Sequence, residues 1–389
     1  MKTRHWNFLA FNLWLFSGLG FAVLSYLYFG QDFRGYYAAA LALRQGGNPY
    51  DYHLVAGILQ QVTGHMGNNP FYYPPWLAWL VFPLTFLPFE PARAVWMALN
   101  WALWALCLRQ LTQFFPWPAP GWRRYLFWIG LTFSFAWITW RYEQTAILTL
   151  FAFLQAWRWV QRGDDRAAAF WLLLALLKPN ISLLPVLTVV GWLYFRQRRR
   201  VAWWLFLFLT AAGLIFVFST PQAFSPWLQP GFGRGLRQAL DGPEQVTALR
   251  INTTLFDWLT QVWRVAPPAA VGAHLLAALA GLIGLWRSWR GADSMLQALS
   301  LGILFSLLLT PYALQYDYPL LVFPFWQALF ALRKVSGAGK MAALGLMTFV
   351  FSVSLWQQNI AWGFWMVVGT AGLWALAQVM ESRRARQTG

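Results

Sequence analysis

Eight acidic residues stand apart from the basic clusters of this chain: Asp32, Asp51, Glu90, Glu143, Asp241, Glu244, Asp257 and Asp317. Among them lie the cations Arg34, Arg93, Arg141, Lys178, Arg234, Arg237 and Arg250. Such a set suits a reaction that needs one base and several positive groups around a phosphate. Other familiar chemistries lack their residues: there is no phosphate-cradling P-loop, no His-Glu-x-x-His and no Gly-x-Ser-x-Gly. Four histidines and the lone Cys107 offer neither a metal-ligand cluster nor a disulfide, so no metal and no cofactor is expected. Asp32 is the first acidic residue, in Gln31-Asp32-Phe33-Arg34-Gly35-Tyr36-Tyr37, where a first apolar segment ends. A carboxylate there either caps the helix that begins at Phe33 or acts as a base. Asp317 has the same two readings, whereas Asp51, after Asn48-Pro49-Tyr50, reads as a turn residue.

The elements that must position these groups are membrane helices. The 389 residues are 59% hydrophobic and 11% charged, more apolar surface than one soluble core can hide. The net charge of +17 is carried in short clusters between apolar runs, which is the pattern of loop charge and not of a nucleic-acid face. Placing the clusters at Lys2/Arg4, 109–124, 158–166, 196–200, 287/290, 333–340 and 383–386 in the cytoplasm puts 20 of the 29 basic residues there, with four acidic ones. Both termini are then cytoplasmic, and nine basic and eight acidic residues face outward. About 12 transmembrane helices follow: 8–29, 91–111, 124–140, 143–160, 167–177, 180–195, 201–219, 267–287, 295–311, 317–333, 341–357 and 359–380. The first is read as a retained span, since no cleavage site follows it. The run from Pro75 to Phe89 is too short to cross and reads as a helix on or dipping into the outer surface.

Chemistry is expected on the outer side, where the two large loops lie, about 30–90 and 220–266. Juxtamembrane helices are expected in the first loop, an amphipathic one over Asp32–Arg44 and a second from Tyr52 to Val62, each followed by a Gly/Asn-rich turn. Segments 167–177 and 180–195 go out and back with only Lys178-Pro179 at the tip. Lys178 therefore sits inside the bundle, as a functional cation or as a snorkelling one. The absence of a linker or repeat makes 1–389 a single all-α polytopic membrane domain.

The residue order carries a resemblance. An early Asp32, Gly46-x-Asn48-Pro49-Tyr50, Tyr73-Pro74-Pro75 with Pro83-Leu84 and Leu87-Pro88, then Trp96, Asn100, Gln144, Lys178-Pro179, Asn252-Thr253-Thr254, Thr310-Pro311-Tyr312 and Tyr316-Asp317 together resemble glycosyltransferase family 87. Two departures stand out: family members commonly have Gly where this chain has Glu143, and many carry a histidine near Tyr316-Asp317. The resemblance implies a GT-C fold and a mannosyltransferase that uses a polyprenyl-phosphate sugar, with the aspartate of the first outer loop, here Asp32, as general base. A sugar on a lipid phosphate has a good leaving group, so one base suffices where glycoside hydrolysis needs two carboxylates. Lys178, Arg250 and Arg93 are the candidates for binding the donor phosphate, and Tyr73, Gln144, Asn252, Tyr316 and Asp317 those for binding substrate.

The expected protein is thus an inverting hexosyltransferase of the plasma membrane. Its partners would be the bilayer, a polyprenyl-phosphate sugar, and a glycolipid or polysaccharide acceptor at the outer, periplasmic face. A transporter or flippase would distribute its charges along a central pathway, often on inverted repeats, and none is visible. A lipid-linked polysaccharide polymerase or ligase is the other rival, and it would take an oligosaccharide on a diphosphate.

Overall fold

The computed structural model describes residues 32–64, 71–115, 120–131, 133–220, 254–291, 294–310, 313–332 and 366–376. Among the described residues the regular structure is helical throughout. The stretch ahead of the bundle holds α1 (Asp32–Arg44) and α2 (Tyr52–Thr63). Gly46, at φ +77°, turns the chain out of α1. Asp51 caps α2, its carboxylate accepting the His53 and Leu54 amides at 2.9 and 3.2 Å. After Tyr73-Pro74 come α3 (Pro75–Val81) and a 3-10 turn over Phe82–Phe86, a short element with Leu77, Ala78 and Val81 buried and Leu80, Phe86 and Leu87 exposed. Arg44 ties it to α1 by donating to the Thr85 carbonyl and lying over the Phe86 ring, and the Tyr37 hydroxyl donates to the Leu87 carbonyl at 2.9 Å.

The bundle follows: α4 (Phe89–Phe114), α5 (Pro120–Leu131), α6 (Ser134–Arg141), α7 (Ala146–Gln161), α8 (Asp165–Ala175), α9 (Pro179–Phe195) and α10 (Arg199–Ser219). After the second loop come α11 (Pro267–Gly291), α12 (Met295–Leu309), a 3-10 segment over Gln315–Leu321, α13 (Val322–Leu332) and α14 (Met366–Leu376). The Lys178-Pro179 break forms as expected: Pro179 occupies the first position of α9, where a missing N–H is harmless, and Lys178 before it is extended away from the helix. Among the described residues the most extensive helix pairing is α9 on α12. Gly302 permits it, since a Cβ there would stand 2.8 Å from Pro185 Cα and Thr188 Oγ1. Ser306 then donates to the Ile181 carbonyl at 2.8 Å.

Several expected spans differ. The segment 124–140 is two helices, α5 and α6, and 317–333 begins as the 3-10 segment, which places Asp317 before the helix proper. Of the about 12 spans, α10 (21 residues) and α11 (25 residues) are long and apolar enough to cross a membrane. At 1.5 Å per residue they reach about 31 and 37 Å. The 26-residue α4 is long enough too, but Glu90, Arg93 and Asn100 interrupt the apolar surface of its N-terminal half. Spans 8–29 and 341–357 lie outside the described residues, as does all of 359–380 except α14. These apolar helices are those of a membrane protein.

Candidate active site

The helical period places Tyr36 on the face of α1 that carries Asp32, one turn further on. That face looks at Gln144, which lies 112 residues away in the turn between α6 and α7. The turn is a helix C-terminal motif: the Gln144 amide reaches the Thr139 carbonyl at 2.9 Å and the Glu143 amide the Trp140 carbonyl at 3.0 Å. This closure requires a left-handed residue at 143. Glu143 supplies it at φ +58°, in a conformation that favours glycine. The glycine that the resemblance leads one to expect before the glutamine would suit this backbone, and this chain has a carboxylate at that position instead.

Gln144 is the hub of the cluster and is fully buried. Its amide Nε2 donates to Asp32 Oδ2. Its Oε1 accepts from Lys178 Nζ at 2.8 Å and from the Tyr73 hydroxyl at 3.1 Å. The Tyr36 hydroxyl stands 2.9 Å from that of Tyr73 and 3.3 Å from Gln144 Oε1, so its one proton serves one of them at a time. These partners fix the orientation of the amide, because a flipped Gln144 would set its NH2 against an ammonium and its oxygen against a carboxylate. Burial pushes the Tyr36 phenol well above its ordinary range, and the neighbouring Tyr73 and Asp32 add to the effect. Tyr36 is thus a neutral donor beside the aspartate.

Lys178 also binds Asp317, Nζ to Oδ1 at 2.5 Å, across 139 residues of sequence. Both side chains are buried. The other oxygen of Asp317 accepts the Leu314 amide at 3.1 Å, so this carboxylate closes the 3-10 turn and neutralises Lys178 together. Tyr316 presents its ring to the same ammonium, 4.2 Å from Nζ to the centroid. Its carbonyl accepts from Thr139 at 2.6 Å and its ring packs on Tyr142, which joins the 3-10 segment to α6.

Arg93 belongs to an adjoining layer. Its Nε donates to Glu143 Oε1 at 2.5 Å, both side chains being buried, and Glu90 stands 3.8 Å away on the next turn of α4. Trp96 closes this layer, donating from Nε1 to the Glu143 carbonyl at 2.9 Å and stacking on Phe33 of α1.

Of the residues named from the sequence, Asp32, Tyr73, Gln144, Lys178, Tyr316 and Asp317 meet in one cluster. The predicted phosphate cations are arranged differently from one another. Lys178 is held by Asp317 and Gln144, Arg93 is held by Glu143, and Arg250 and Asn252 lie outside the described residues, as do Asp241, Glu244, Arg234 and Arg237. Tyr36 and Glu143 were not singled out as site residues. Tyr36 could have been found from its spacing to Asp32, but Glu143 only from the shape of the turn. Among the described residues no three His, Cys, Asp or Glu side chains come close enough to hold a metal ion.

A family model for glycosyltransferase family 87 matches residues 71–311, more than half of the chain. No curated protein and no solved structure matches it. The matched stretch contains Tyr73, Arg93, Gln144 and Lys178, while Asp32 and Tyr36 lie before it and Tyr316 and Asp317 after it. By this match the chain belongs to glycosyltransferase family 87.

Proposed function

We propose that this glycosyltransferase transfers a hexose, mannose by default, from a polyprenyl-phosphate donor to a lipid-linked or polysaccharide acceptor at the outer membrane face, on a GT-C fold. Asp32 takes the proton of the acceptor hydroxyl. The acceptor oxygen attacks the anomeric carbon from the side opposite the donor phosphate. The C1–O bond to that phosphate breaks, and polyprenyl phosphate leaves with the electron pair. Configuration at C1 inverts. A phosphate leaving group needs no protonating acid, which is why one carboxylate is enough.

The observation that carries this reading is the Gln144 hub. A buried amide, held by Lys178 and Tyr73 on one side, donates to Asp32 on the other and so ties this carboxylate to the cation and the tyrosines of the cluster. Lys178 meets the donor phosphate from below by exchanging part of its contact with Asp317, while Tyr73 and Tyr316 line the sugar. Arg250 and Asn252 are assigned to the donor phosphate and the substrate by the family resemblance, and Arg93 lies in the layer beside the cluster. The lipid tail lies in a groove beside residues 167–195. No residue in the step as proposed calls for a metal.

The test is Asp32→Asn in purified protein, given synthetic polyprenyl-phosphate mannose and a panel of acceptors, with products read by mass spectrometry. Loss of a general base lowers turnover by about 10²–10⁴-fold. Transfer at the parental rate by a folded Asp32→Asn protein sinks the assignment.

A further inference from the structure

At the end of the bundle away from Asp32, three helix termini converge. Arg198, at the turn between α9 and α10, donates to Asp165 and to the Val160 carbonyl, so the α7–α8 and α9–α10 turns lie side by side. The C-terminus of α11 joins them through Gly191. A Cβ at that position would fall 2.4 Å from the Trp289 indole, so only glycine lets this ring seat against α9. Phe195 stacks on Trp289 at 6.2 Å and meets Trp286 edge-on at 5.8 Å. The result is an aromatic shelf built from α9 and α11. Tyr194, Phe195 and Trp286 are 45%, 39% and 46% exposed on it.

Arginines lie over these rings. The guanidinium of Arg290 sits 4.3 Å from the Trp286 centroid and 5.9 Å from that of Phe195. Arg199 lies 5.0 Å over Tyr194, and Arg196 lies 5.6 Å over Trp192. Stacking holds the face of a guanidinium and directs its N–H edge away from the ring, in a planar fork that matches a phosphate. Within 158–166, 196–200 and 287–293 stand nine arginines against three aspartates. Asp164 caps α8 through the Ala167 amide, and Asp165 binds Arg198.

We propose that Arg199 and Arg290, on the shelf of Tyr194, Phe195 and Trp286, together with Arg196 on the neighbouring Trp192, form a binding site for the phosphate headgroup of anionic phospholipids in the leaflet that faces this end. Exposed rings at headgroup depth with cations above them suit a molecule that offers an acyl chain on one side and a phosphodiester on the other. The site is separate from the Asp32 cluster. Lys178 and Phe195 mark opposite ends of α9, about 26 Å apart along its axis at 1.5 Å per residue.

The test is native mass spectrometry of the delipidated full chain, titrated with phosphatidylglycerol and with phosphatidylcholine of the same acyl chains. The parent should bind phosphatidylglycerol preferentially. The triple variant Arg196→Gln/Arg199→Gln/Arg290→Gln should bind it about a hundredfold more weakly, with phosphatidylcholine unchanged. Arg158→Gln/Arg200→Gln/Arg287→Gln removes the same charge from the same end without touching a stacked guanidinium, and should keep most of the preference. Equal loss in the two triple variants would reduce the site to a general positive field and overturn the proposal. So would an unchanged preference in the first variant, or displacement of the lipid by an RNA oligonucleotide at matched phosphate concentration.

Discussion

Replacing Glu143 by glycine sets two effects of this fold against each other. The substitution relieves a left-handed backbone at φ +58°, a gain of about 1 kcal/mol for a side chain of this kind. It also removes the carboxylate that binds Arg93 Nε at 2.5 Å, where the two side chains are 0% and 7% exposed. Breaking a buried pair from one side costs about 3–5 kcal/mol. Glu90, 3.8 Å from Arg93 and 48% exposed, recovers a small part of that, which puts the loss near the lower end of the range. Glu143→Gly should therefore destabilise the protein by about 2 kcal/mol, although glycine suits the turn better. Removing the charge as well, in Glu143→Gly/Arg93→Met, should restore stability to within about 1 kcal/mol of the parent, because the buried cation is then gone. Unfolding in mixed micelles by a graded denaturing detergent, followed by tryptophan fluorescence, measures all three proteins. A Glu143→Gly protein more stable than the parent would show that the turn outweighs the ion pair and refute this reasoning. A double variant no more stable than the single one would refute it equally, since the cost would then not lie in an unpaired Arg93.

Other outcomes follow from the cluster around Gln144. Lys178→Met and Asp317→Leu should each destabilise by about 3–5 kcal/mol, while Lys178→Met/Asp317→Leu should cost less than their sum; additive effects in the same unfolding assay would show that the 2.5 Å pair is not coupled. Tyr36 is held protonated by burial, so its contribution is fully present below about pH 10 and is lost as pH rises toward its higher folded value. Alkaline unfolding should accordingly be shallower by one proton in Tyr36→Phe, and an unchanged slope would place the phenol in a wetter setting than the structure gives it.

The legible parts of the sequence were the local ones. Asp51 as a turn residue, the amphipathic helix from Asp32, and the break at Lys178-Pro179 each depend on a few neighbouring residues and formed as those residues require. The division of 124–140 into α5 and α6 was not legible, since no proline marks it; the 3-10 start of 315–321 was hidden for a related reason, its shape being tied by Asp317 to Leu314 and by Tyr316 to Thr139. Arg93 looked from the sequence like a cation for a phosphate, and Glu143 like a departure from a family pattern. They are partners, which only the approach of α4 to the α6–α7 turn could reveal.

Composition and charge alone determined that the chain is a helical membrane protein, because apolar runs of this length and cations in these clusters have few other uses. Residue order carried the family and singled out Asp32. The tertiary structure decided what Asp32 faces. An aspartate at the start of a helix is chemically the same whether it caps that helix or serves as a base, and its surroundings separate the two. Here those surroundings come from 112 residues away in Gln144, and through Gln144 from Lys178, Tyr73 and, 139 residues beyond Lys178, Asp317. Contacts at such separations depend on how the helices pack, for which no local pattern in the chain is a guide.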